Sequence, residues 1–144
     1  MRASMRKITG ILACLFLLFG AAGCRAEARD ETKLRDLEFA VIGREEIPEE
    51  MLRTIEEKKA EPFQITYGDQ EALYIGQGYG RQPTGGYSIT VDSCYEAPAA
   101  VVFGTSLIGP GSGEETAVPT YPYVVVKLAW KEKQVLFQNK QEAE

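Results

Sequence analysis

Gly80-Arg81-Gln82-Pro83-Thr84-Gly85-Gly86-Tyr87-Ser88-Ile89 is the stretch from which the architecture of this chain can be read. Proline presets one backbone torsion and glycine frees another, so Pro83 to Gly86 is turn chemistry. Beyond it Tyr87, Ile89 and Val91 alternate with Ser88, Thr90 and Asp92, the period-two pattern of a strand with one buried face. The spacing predicts a strand over 85–95.

The same punctuation recurs on both sides. Downstream, strands are expected over 99–107, 121–130 (with Val124-Val125-Val126 at its centre) and 134–138. They are separated by the connection Gly109-Pro110-Gly111-Ser112-Gly113-Glu114-Glu115 and by a turn at Lys131-Glu132-Lys133. Upstream, 63–67 and 72–78 form a hairpin across Gly68-Asp69-Gln70-Glu71, and 37–43 suggests a first strand with Phe39 and Val41 on one face. Gly76, Gly78 and Gly80 read as places where the backbone turns or bulges.

One segment has a different period. From Pro48 to Lys59 the apolar residues Met51, Leu52 and Ile55, together with the preceding Ile47, recur at helical spacing. Pro48 suits the first helical position. Glu49 and Glu50 favour the positive end of the helix dipole, and Lys58 and Lys59 the negative end. Pro62 stops the helix from continuing. The expected fold is α+β, mostly antiparallel β: a small sandwich-like domain over 37–138, with one N-terminal helix packed on a sheet. A polar tail, 139–144, is expected to be disordered.

Residues 1–23 read as a signal peptide. Arg2, Arg6 and Lys7 precede an apolar run from Ile8 to Ala22, which is shorter than the ~20 residues a membrane-spanning helix needs. Ala21-Ala22-Gly23-Cys24 resembles a bacterial lipobox, although leucine is commoner where Ala21 stands. That resemblance implies cleavage before Cys24 and lipidation of Cys24. An ordinary secreted protein and a retained single-pass anchor are the alternatives. The charge-dense stretch 24–36 is expected to be a tether, or alternatively a short helix. The chain is thus expected to be exported, held at the cell membrane by lipid and facing outside the cytoplasm.

Losing the three basic side chains of 1–23 would leave 13 Lys+Arg against 21 Asp+Glu, net −8. That balance argues against nucleic acid as a partner. The chain contains no histidine, which excludes Ser-His-Asp and Cys-His catalysis and imidazole metal sites. Cys94 is the single cysteine after Cys24 and is expected to be a small buried apolar residue. Gly76 to Gly80 has the wrong spacing for a dinucleotide fingerprint, and no phosphate-binding loop occurs. Adjacent glutamates, such as Glu49-Glu50 and Glu114-Glu115, point apart and read as a solvated face. The expectation is a protein that is not an enzyme and carries neither cofactor nor metal.

Gly80 to Pro83, Thr84-Gly85-Gly86-Tyr87-Ser88-Ile89, Gly109-Pro110-Gly111 and Thr120-Tyr121-Pro122-Tyr123-Val124-Val125-Val126-Lys127 together resemble the PrcB C-terminal domain family. The likeness extends over 72–138. It implies an interaction module, since the family's named member is a lipoprotein that assembles with a surface protease. A partner protein is therefore expected, a peptidase being one candidate. The candidate contacts are Arg81, Pro83, Thr84, Gly85, Gly86, Tyr87, Gly109, Gly111, Tyr121 and Tyr123. The alternative is that the glycines serve only the backbone, and the tyrosines only packing. Separately, Gln82 to Tyr87 resembles a loop of chagasin-type cysteine-protease inhibitors, with 109–113 in place of their glycine-rich second loop. Their third element, Arg-Pro-Trp, has no counterpart beyond Tyr121-Pro122-Tyr123.

Overall fold

In the computed structural model, which describes residues 30–138, Val124, Val125 and Val126 are all buried. Successive strand residues point to opposite faces, so this run demands cover on both sides. Two layers supply it. Val124 and Val126 face a core with Leu73, Ile75, Cys94, Val101, Phe103 and Leu128. Val125 faces another with Ile47, Met51, Ile55, Phe63, Ala72 and Tyr74. The expected signal peptide, Cys24, the tether as far as residue 29 and the tail 139–144 lie outside the described residues.

In chain order the elements are β1 (Arg35–Asp36), β2 (Phe39–Val41), a 3-10 turn (Arg44–Glu46), α1 (Glu49–Lys58), β3 (Pro62–Gly68), β4 (Ala72–Tyr79), β5 (Ser88–Ala97), β6 (Ala100–Ile108), β7 (Tyr123–Ala129) and β8 (Gln134–Gln138). They build two four-stranded sheets, β1-β5-β6-β8 and β2-β7-β4-β3. Their apolar faces enclose the first core, and α1 covers the other face of the second sheet with Met51 and Ile55. Among the described residues the fold is the expected one, mostly antiparallel β with a single α-helix laid on a sheet.

Several boundaries and pairings differ from expectation. Arg35 and Asp36, assigned to the tether, pair with Glu96 and Tyr95, because the open edge of β5 offers backbone partners to the passing chain. Pro48 stands at the helix cap, its carbonyl accepting from Leu52 N–H at 2.9 Å. The segment 131–133 does not fold β8 back onto β7. It carries the chain to the other sheet, where β8 runs parallel to β6. Gly76 and Gly78 neither turn nor bulge. Both lie within β4, where a Cβ on Gly78 would stand 2.2 Å from the Phe63 ring. The glycine therefore makes room for the aromatic packed across the strand pair.

The register shift falls instead at Asp92, between Val91 and Ser93. The extra residue reverses the alternation. Ile89 and Val91 pack against the first core, and beyond the bulge it is Cys94 that turns inward. Cys94 is a buried packing residue, as expected, and burial pushes its thiol up to about 11.

Candidate functional site

The β4–β5 connection (80–87) and the β6–β7 connection (109–122) meet at one end of the sandwich. Each is rich in turn residues and lacks strand alternation, so neither supplies its own ladder of hydrogen bonds. They supply each other's. Gln82 and Thr120 exchange both backbone bonds, at 2.8 and 3.0 Å. Thr120 Oγ1 donates to Thr84 O at 2.8 Å, and Gly85 N–H donates to Thr116 Oγ1 at 3.0 Å. The second connection is also closed on itself. Glu114 N–H donates to Gly111 O, and Gly111 N–H donates to Glu114 Oε1, at 3.0 and 2.9 Å.

The two glycines of the first connection are where this interlocking is tightest. A Cβ on Gly85 would lie 2.7 Å from Thr116 Oγ1. Gly86 has φ +89°, and a Cβ there would lie 2.8 Å from Glu114 O. Side chains other than hydrogen rarely adopt that torsion, and none fits the gap. The glycine pair thus joins two loops as well as leading into β5, which begins only at Ser88.

Below the tips lies a buried polar set. Thr105 Oγ1 donates to Gln77 Oε1 at 3.0 Å and lies 2.6 Å from Tyr79 Oη. Gln77 and Thr105 are buried, and their mutual satisfaction removes the cost of enclosing polar groups between the sheets.

The surface above is partly apolar. Arg81, Pro83 and Gly86 are exposed, and Tyr87 is half-buried beside Gly109. Ile108, Val118 and Tyr121 are also exposed, Val118 at 64%. The Lys59 ammonium stands 5.4 Å from the Tyr121 ring centroid, a cation–π distance. Arg81 is tied to the turn after α1 by its backbone N–H, which donates to Ala60 O at 3.3 Å.

Most of the residues singled out in the sequence therefore gather at one end: Arg81, Pro83, Thr84, Gly85, Gly86 and Tyr87 on one loop, and Gly109, Gly111 and Tyr121 on the other. Tyr123 stands apart. It begins β7 and packs against Phe63 in the core under α1, ring centroids 6.3 Å apart. Sequence reading missed Ile108 and Val118 as surface groups, and Thr116 and Thr120 as clasps. An apolar residue stranded among Ser, Gly, Glu and Pro was the available sign for Val118. Nothing local marks the two threonines, whose role exists only across the loops.

Among the described residues no group of three or more His, Cys, Asp or Glu is placed to hold a metal ion. No described helix is long and apolar enough to cross a membrane. Residues 73–129 match the family model described as PrcB C-terminal, which supports a PrcB C-terminal domain over that segment. The match runs from β4 through β7 and contains both interlocked loops, leaving out β1, β2, α1, β3 and β8. No curated protein and no solved structure matches the chain.

Proposed function

We propose that this chain is an extracytoplasmic binding or assembly module, anchored through lipid on Cys24, which recognises a partner protein with the interlocked loop end and catalyses no reaction. The observation that carries the reading is that two loops inside the family-matched segment clasp each other through backbone and hydroxyl bonds while exposing Arg81, Pro83, Val118 and Tyr121. A tip that is ordered before it binds loses little conformational entropy on docking. Arginine and tyrosine are side chains from which interface hot spots are built. A subunit of a protease complex is the class of partner that the family suggests.

Crosslinking in intact cells, followed by mass spectrometry, tests the reading. A specific partner should be recovered by the wild-type chain and lost with Arg81→Ala combined with Tyr121→Ala. Recovery of nothing above background, or recovery insensitive to both substitutions, would overturn it. Labelling with palmitate, with and without Cys24→Ser, tests the anchor separately; an unlabelled wild-type chain refutes that part.

The runner-up is a peptidase inhibitor that uses loops 82–87 and 109–113. The juxtaposition of those loops favours it, since two rigid tips side by side suit a groove. Failure to slow any papain-like protease would dispose of it.

A further inference from the structure

We infer that Lys59, braced by Glu56 and Arg44, is a positioning residue that sets the Tyr121 side chain in place for the partner. The inference rests on the loop end being the recognition surface. The backbone around Tyr121 is fixed on both sides. Thr120 exchanges two bonds with Gln82 at 2.8 and 3.0 Å, and Tyr79 N–H donates to Pro122 O at 3.1 Å. What stays free between these ties is the side chain. Its residue is 37% exposed and belongs to neither core. The ring is therefore oriented by what lies against it, and the Lys59 ammonium lies there, 5.4 Å from its centroid.

A lysine alone is a poor brace, because its four-carbon stem has many rotamers. Here the ammonium is itself held. Glu56 Oε1, three residues earlier in α1, accepts from Lys59 Nζ at 3.0 Å, and Glu56 Oε2 accepts from Arg44 Nη1 at 2.6 Å. A cation on each oxygen fixes the carboxylate in one orientation. The bonds from Arg44 and Lys59 hold its carboxyl below the usual acidity range. Among the described residues Glu56 is the acid that pairs with Lys59; its neighbours Glu57 and Glu61 form no ion pair. A chain of contacts thus runs from the 3-10 turn through α1 to the ring of Tyr121.

The backbone makes the same junction. Arg81 N–H donates to Ala60 O at 3.3 Å. At Gly80, with φ +78°, a Cβ would stand 3.2 Å from Pro62 N and 3.3 Å from the Glu61 carbonyl carbon. The turn after α1 is therefore a third wall of the loop end, beside the two clasped loops. Arg44, Glu56 and Lys59 all lie outside the family-matched segment 73–129, which contains Tyr121. The contact residue and its brace come from different parts of the chain.

A side chain ordered before docking spares the complex the entropy of ordering it, which is worth about two- to tenfold in affinity. Lys59 acts through Tyr121 and need not touch the partner. Its effect requires a positive charge at the ring, so arginine can replace it and an uncharged stem of similar length cannot.

Two measurements test this. In nuclear magnetic resonance of the full-length chain in detergent, the Lys59 ε-methylene protons should be shielded by the Tyr121 ring. The shielding should vanish in Tyr121→Leu and weaken in Glu56→Gln, with circular dichroism unchanged. In intact cells, crosslinking through incorporated photo-leucine, which spares lysine, should recover about two- to tenfold less partner with Lys59→Met. Lys59→Arg should restore the yield. Unshielded Lys59 protons in the wild-type chain overturn the inference. Recovery that is lost with Tyr121→Ala but complete with Lys59→Met overturns it alone and leaves the loop end standing. Recovery insensitive to Tyr121→Ala removes Tyr121 from the recognition surface and the inference with it.

Discussion

The two ends of the sandwich are closed by opposite means. At the loop end, neutral groups clasp each other: backbone amides, threonine hydroxyls and two glycines. At the other end a charged cluster replaces them. Glu96, only 6% exposed, lies where β5 finishes. Its carboxylate accepts from Lys133 Nζ at 2.6 Å and from Lys131 Nζ at 3.2 Å, and Arg35 Nη1 also reaches it. Lys133 donates in addition to Ala97 O at 2.9 Å. One carboxylate thereby joins β1, β5 and the crossing between the sheets. The lysine bonds hold its acidity at about 2, well below the ordinary 4.5.

The contrast teaches what each end is suited to. A buried carboxylate surrounded by cations is expensive to expose and holds its neighbours in one arrangement. A neutral clasp stiffens its loops without consuming the side chains above it, which stay at the surface. Charge seals the closed end, and backbone bonds leave the open end available.

The sharpest way to break the comparison is to remove what both ends share. Phe103 is fully buried between the sheets and meets Phe137 edge-on at 5.9 Å. Phe103→Ala should cost about 3–5 kcal/mol, measured by urea denaturation, with both ends unfolding in one transition. A residual loop-end structure after that loss would show two independent halves.

Acid separates the ends next. Because the folded-state acidity of Glu96 is depressed, its contribution is complete above about pH 4.5 and is lost as pH falls towards about 2. Wild type should lose stability through that window. Glu96→Gln should be less stable near neutral pH, since Lys131, Lys133 and Arg35 lose their counter-charge, and should show a shallower acid dependence. Asp69 and Glu56, also depressed by their hydrogen bonds, keep some slope in both proteins. Equal slopes would remove Glu96 from the account.

A smaller effect belongs to the open end. Gly86→Ala forces a side chain to φ +89° against Glu114 O, costing about 1–3 kcal/mol. Amide exchange should quicken at Gln82 and Thr120 and stay unchanged at Leu34 and Leu37, which bond to β5 beside Glu96. The smallest change is Thr120→Val, which deletes the hydroxyl bond to Thr84 O for about 1 kcal/mol. Differential scanning calorimetry should register it without any shift in the acid profile.

The class of fold was legible from short-range signals. The spacing of Met51, Leu52 and Ile55 reports a helix with one apolar side, and the alternation from Tyr87 to Val91 reports a half-covered strand. Those patterns depend on local geometry, which residue order carries. Pairing partners were less legible. The strand-forming character of 134–138 is local, but its parallel place beside β6 rests on partners far away along the chain: the β6 ladder, the first core that Val135 and Phe137 pack against, and Glu96, which Lys131 and Lys133 reach. The glycines of β4 looked like punctuation until Phe63 and Met51 were packed against them. Of the two interlocked loops, Thr84-Gly85-Gly86-Tyr87 stood out in the sequence, whereas Thr116 and Thr120 carry no sign of their role.

Residue order by itself determined the helix, the strands, the absence of histidine chemistry and the turn residues of the two loops, because torsional preference and periodicity act over a few neighbours. Only the tertiary structure decided that those loops clasp, that Asp92 reverses the faces of β5, and that a single buried carboxylate closes the far end. Each of these depends on atoms beyond the reach of local sequence, brought within bonding distance by burial of the two cores.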